Sequence, residues 1–244
     1  MDPPRPSGNF PAHGMSHAAQ DAASLTAKAL EVHARLAARY GPFPWQPTDP
    51  LAELVNTLLS QNTNDRNRDL AFAQLRTRFP TWEAVRDAPV EEVIAAIRPA
   101  GLAPSKGPRL QAILRRITAE RGELTLDFLR ELPLPEARAW LRDLDGVGPK
   151  TAAIVLLFAL GRPAFPVDTH IHRVTSRLGL IPPKTSREAA HELLEALIPP
   201  ELYYPCHLEI IQHGRSVCHA RRPRCEECPL QDLCDAYPLQ AAGK

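Results

Sequence analysis

The sequence predicts an all-α fold, and three observations predict it. Apolar residues recur at spacings of three and four along most of the chain. No convincing run alternates apolar with polar residues, and β-branched clusters are sparse. The 26 prolines fall mostly between the periodic segments, where they punctuate rather than interrupt.

Residues 1–20 carry Pro, His, Gly and Ser without periodicity and read as a flexible tail. A helical pattern starts at Asp21, with Leu25, Leu30, Val32, Leu36 and Ala37 on one face. Gly41, Pro42 and Pro44 end it. Asp49 and Pro50 open the next helix as N-cap and first-turn proline, and Leu51, Leu54, Val55, Leu58 and Leu59 supply its apolar stripe. Further helices are expected at 64–79, 81–87, 89–97, 107–120, 126–131, 135–143, 149–160, 169–178, 185–198 and 200–215. No repeat of 20–50 residues is visible.

At 244 residues the chain can bury a full core and form one or two domains. Its 44% hydrophobic and 23% charged content is that of a soluble globular protein. No run of 18 apolar residues exists, so a membrane span is excluded, and the first residues lack the apolar core of a secretory signal. A reducing cytosol is therefore expected. Net charge is +1, so any nucleic-acid interface must be a local patch rather than a global excess. Only five basic residues are lysines: Lys28, Lys106, Lys150, Lys184 and Lys244.

Four of the five cysteines crowd the C-terminus as Cys218-x6-Cys225-x2-Cys228-x5-Cys234. Four soft thiolates within 17 residues suit a tetrahedral zinc or an iron–sulfur cluster, and the spacing alone leaves both open. Cys206 reads as a packed free thiol. Arg221, Arg222 and Arg224, inside the cysteine loop, either meet phosphates or pair with Glu226 and Glu227.

Leu144-Asp145-Gly146-Val147-Gly148-Pro149-Lys150-Thr151-Ala152 is the most informative stretch. Gly-Val-Gly makes a hairpin, and a helix opens at Pro149, so free backbone N–H groups can bind a phosphate without reading sequence. The following helix is apolar all round, which puts Lys150 at the mouth of a buried element. A helix N-terminus and partial burial both disfavour the ammonium, and a neutral amine is a nucleophile. Asp168, in Val167-Asp168-Thr169-His170, stands at an N-cap, which by itself explains an aspartate there.

These motifs, with the cysteine tail, resemble the endonuclease III branch of the helix–hairpin–helix DNA glycosylases over residues 25 to 236. The resemblance implies a [4Fe–4S] cluster on Cys218, Cys225, Cys228 and Cys234. It implies two helical domains: a six-helix barrel over 49–162, and a cluster domain from 21–48 with 163–244. Lys150 matches the catalytic lysine, which attacks C1′ of a damaged nucleotide, expels the base, and nicks the strand by β-elimination. Asp168 matches the aspartate that stabilises the developing positive charge. Two loops would fill the gap left by the extruded base. One places Gln61 or Asn62 as the wedge and Asp65 beside the pocket; the other carries Leu102. Gly146, Val147, Gly148 and His170 would contact DNA.

The branch implies removal of oxidised pyrimidines from double-stranded DNA, abasic-site cleavage, a monomer, and a cytoplasmic, nucleoid-associated location. Lys106, Arg109, Arg115, Arg116 and Arg121 form a basic stretch that would support DNA contact. Two alternatives stand beside this reading. A monofunctional mismatch or adenine glycosylase lacks the lysine, and the adenine branch carries a further C-terminal domain. A non-catalytic helix–hairpin–helix DNA-binding protein would not need Lys150 and Asp168 together.

Overall fold

A computed structural model describes residues 17–237. The expected tail therefore lies largely outside the described residues, and α1 (His17–Tyr40) already runs from His17, ahead of the expected start at Asp21. The all-α expectation holds: among the described residues there are helices and no strand. After α1 come α2 (Pro50–Ser60), α3 (Asp65–Arg78), α4 (Trp82–Asp87), α5 (Val90–Ala96), α6 (Ala103–Arg121) and α7 (Leu134–Arg142). Then follow α8 (Pro149–Ile154), α9 (Thr169–Arg177), α10 (Arg187–Leu197) and α11 (Tyr203–Ser216).

Side-chain caps set several starts. Asp49 accepts from the Ala52 N–H, Asn64 from Asn67, Thr81 from Ala84 and Ser186 from Ala189. Each such cap stabilises its helix by about 1 kcal/mol. Where the expected bounds differ, a local reason is visible. The helix expected from 107 starts at Ala103, because Leu102 takes left-handed angles and Pro104 fits the first turn. The segment expected at 126–131 is a 3₁₀ turn, Asp127–Arg130, too short to propagate as an α-helix. The segment expected from 200 begins as a 3₁₀ turn, Pro200–Leu202, before α11.

Two apolar cores form. The first is built from α2–α8 and includes Leu54, Leu75, Ile97, Leu114, Leu129 and Leu141. The second joins α1 to α9–α11 through residues such as Leu36, Phe165, Ile171, Leu194 and Ile210. The chain crosses between them where the helix after Lys150 loosens. Expected as one helix to residue 160, it becomes a π-turn over Val155–Ala159. Val155 and Leu156 pack in the first core and Leu157 in the second. The loosened carbonyls are satisfied from outside: the Trp45 indole donates to Leu157 and Phe158, and Arg130 donates to Ala159 and Leu160.

Candidate active site

A cleft of about 430 Å³ takes its walls from both halves, and Lys150 and Asp168 both line it. That volume lies in the range of ordinary ligand pockets. Asp168 caps α9: its Oδ1 accepts from the His170 N–H at 2.8 Å and the Ile171 N–H at 2.7 Å. Both bonds fall on one oxygen, which leaves Oδ2 for the cleft. Capping and a role in the cleft are thus compatible. Lys150 is exposed to the cleft. The burial expected to act on its amine is absent, because α8 sinks Thr151, Ala152 and Ala153 while its first turn faces out.

The two loops expected to carry the wedge residues share one anchor. Lys106 is 5% exposed, and its ammonium donates to the carbonyls of Leu59 (2.8 Å), Gln61 (2.7 Å) and Ala100 (2.9 Å). It ties the loop after α2 to the loop before α6. Leu102 stands out from the second loop, 57% exposed and left-handed at φ +51°. Gln61 is half-buried, and its amide donates to the Gly146 carbonyl at 3.0 Å. Asn62 is exposed and left-handed at φ +54°. Asp65 is also exposed and bridges Arg68 (3.0 Å) and Arg215 (2.8 Å), so it links α3 to α11 across the cleft mouth. His170 is half-buried, lines the cleft and accepts from Arg173.

The hairpin forms as expected in part. Gly146 takes φ +75°, which favours glycine. Val147 is different: its side chain is buried and its N–H donates to the Leu144 carbonyl at 3.1 Å. It therefore offers neither group outward, and the outward backbone is that of Gly148 and the α8 first turn. The basic stretch also needs correcting. Lys106 is buried, as above. Arg109 pairs with Asp145, Arg116 with Glu120 and Asp143, and Arg121 lies 3.8 Å over the Phe128 ring. Intramolecular partners account for most of that stretch.

Cys218, Cys225, Cys228 and Cys234 line one further cavity beside Val217, Pro223 and Ala236, and none is in a disulfide. The donor set fits an iron–sulfur group. Burial pushes the Cys228 thiol up to about 11 and the Cys234 thiol up as well, so a cationic centre is what would hold these two as thiolates. Polar groups already face the sulfurs. Arg177 Nη1 lies 3.3 Å from Cys218 Sγ, and His213 Nε2 lies 3.5 Å from Cys228 Sγ. From α1, Arg35 holds the Pro229 carbonyl and Arg39 the Glu227 carbonyl, clamping the loop. Within the loop, Arg224 lies 3.9 Å from Glu227, while Arg221 and Arg222 are exposed. Cys206 is buried and free, as expected.

Residues 55–200 match the HhH-GPD superfamily of base excision DNA repair proteins, more than half of the chain. The chain belongs to the HhH-GPD superfamily. Residues 218–234 match the iron–sulfur binding domain of endonuclease III, so the cysteine site is that of an iron–sulfur cluster. Endonuclease III of Thermotoga maritima is 34% identical over 215 residues, covering 88% of this chain and 96% of that protein. The Escherichia coli enzyme is 36% identical over 213 residues, 86% and 95% respectively. A trapped endonuclease III–DNA covalent intermediate superposes with a TM-score of 0.72 at 28% identity, covering 93% of this chain and all of that one.

Within this HhH-GPD chain, several cleft residues were not singled out from sequence: Glu53, Arg68, Arg187, His207 and Arg215. Glu53 had a signal, as the lone acid in the mostly apolar helix α2. Burial raises its pKa, and Thr57 and Thr48 donate to it. The others sit in helices whose periodicity says which face is buried but not which buried face borders a cleft.

Proposed function

We propose that this chain is a bifunctional DNA glycosylase and abasic-site lyase that removes oxidised pyrimidines from double-stranded DNA. The observation that carries the reading is that the Lys150 amine and the Asp168 carboxylate line one cleft. The Lys150 Nζ lone pair attacks C1′, the glycosidic bond breaks, and its electron pair leaves with the base, which takes up a proton. Asp168 Oδ2 faces the positive charge that develops on the sugar. Ring opening gives an imine. Loss of a C2′ proton and breakage of the C3′–O bond nick the strand, and water then releases the lysine.

Gly148 and the first turn of α8 hold a phosphate, with Gly146 shaping the turn. Asn62 is the polar wedge, because Gln61 is already tied to Gly146, and Leu102 is the apolar one. Cys218, Cys225, Cys228 and Cys234 hold a [4Fe–4S] cluster, which when bound supplies the cationic centre that organises the loop. The working unit is a monomer acting at the nucleoid. Among the described residues no helix is long and apolar enough to cross a membrane.

The test is borohydride trapping on duplexes bearing an abasic site or an oxidised pyrimidine. A covalent adduct is expected with the wild-type protein and none with Lys150→Ala. Base release without an adduct would replace this reading with monofunctional excision. Neither base release nor adduct would leave DNA binding alone.

A further inference from the structure

His207 is a buried titratable side chain for which the reaction above has no role. It is 3% exposed, sits on α11, and lines the cleft with Lys150 and Asp168. Its Nδ1 lies 3.0 Å from the Pro166 carbonyl oxygen. A carbonyl only accepts, so Nδ1 carries the proton and Nε2 is a bare lone pair. The rings of Phe158 and Phe165 meet the imidazole edge-on, with centroids 5.3 and 6.0 Å away, and fix its plane. Among the described residues none donates to Nε2, yet the atom is not sealed in. The space that His207 borders is the cleft.

Lys150 has the complementary deficiency. Among the described residues nothing accepts from its Nζ, and four rotatable bonds leave the amine unaimed. Burial pushes the His207 pKa down to about 4, and it feels Asp168 and Lys150 in opposite senses. It is therefore a neutral acceptor at working pH, close enough to both groups to respond to their charges.

We infer that His207 is a positioning residue for Lys150: Nε2 accepts a hydrogen bond from the amine and turns the amine's lone pair toward the sugar. The inference rests on the proposed lyase reading. Aiming a nucleophile is worth much more than its hydrogen bond, since a misplacement of about 1 Å can cost roughly 100-fold in rate.

Two variants separate this role from a structural one. His207→Asn keeps a donor for the Pro166 carbonyl and removes the acceptor. His207→Gln returns an acceptor oxygen to the Nε2 position. Single-turnover adduct formation on abasic-site duplex is read with the cluster's visible absorbance intact. His207→Asn should slow the step about 10- to 100-fold with KM for DNA unchanged, and His207→Gln should recover most of the rate. Equal rates for His207→Asn and wild type, equal losses in both variants, or a loss confined to KM would overturn the assignment. Absence of any wild-type adduct would instead overturn the parent reading and this one with it. Nitrogen NMR of the wild-type holoprotein gives a readout that needs no variant of His207. Nε2 should be unprotonated at neutral pH and should shift on Lys150→Ala; a protonated Nε2 refutes the proposal.

Discussion

Replacing Lys106 with methionine removes the ammonium that joins the loop after α2 to the loop before α6 while keeping much of the side-chain volume. Three carbonyls lose their donor, at Leu59, Gln61 and Ala100. The Leu59 and Ala100 bonds are buried, whereas the Gln61 oxygen is partly accessible and can turn to water. An unsatisfied buried acceptor costs about 1–3 kcal/mol. The two buried ones therefore predict a loss of about 2–6 kcal/mol, reduced by no longer having to desolvate an ammonium, whose pKa burial lowers. A net loss of about 3 kcal/mol corresponds to a fall in Tm of about 6–12 °C for a chain of this size. Circular dichroism melts of the holoprotein measure it. Lys28→Met is the internal control. Its ammonium meets the exposed Asp235 at 2.8 Å, and a surface pair contributes about 1 kcal/mol or less. Lys106→Met should also weaken binding to an abasic-site duplex, because Asn62 and Leu102 lose their common support. A Lys106→Met Tm within about 2 °C of wild type, or equal to that of Lys28→Met, refutes the clamp.

Leu102→Gly relieves a left-handed conformation worth about 1–2 kcal/mol and gives up little burial, since Leu102 is 57% exposed. Its Tm should therefore rise or hold while base excision from duplex DNA falls, as read by melting beside a single-turnover excision assay. His207 is buried, and burial pushes it from 6.5 down to about 4. Between those values the unfolded chain binds more protons, so this contribution to stability is complete above pH 6.5 and is lost as pH falls toward 4. The loss approaches about 3 kcal/mol. Urea denaturation at several pH values should show it, with a shallower slope in His207→Asn. Cys225→Ala leaves three thiols at the cluster cavity. The expected result is loss of visible absorbance together with a lower Tm, because metal binding contributes to folding; normal absorbance would remove Cys225 from the ligand set.

Much of the fold can be read from residue order alone. Asp49 with Pro50 marks a helix start, Gly41 with Pro42 an end, and the apolar stripe from Leu51 to Leu59 the face that enters the first core. Caps and periodicity are local, and local backbone chemistry settles them wherever the rest of the chain lies. The cysteine spacing is legible for a related reason: four thiols set so close together suit one common centre. Lys150 and Asp168 are legible as a pair only through the resemblance, because an N-cap by itself explains the aspartate.

Packing between distant segments decided the remainder. No local pattern distinguishes Lys106, a buried clamp, from Arg109, a surface ion pair, though both lie in one basic run. Gln61 and Asn62 are neighbours with similar amides, and only the Gly146 carbonyl, 85 residues on, ties one and leaves the other exposed. Val147 lies in the hairpin, yet its side chain turns inward because the first core needs the volume. His207 acquires its cleft-facing nitrogen from Pro166 and two phenylalanine rings that come from another part of the chain. Periodicity along one helix reports which side is buried. What that side is buried against depends on how helices from both ends of the chain meet, and there the assignment of each titratable group to core, cleft or surface is made.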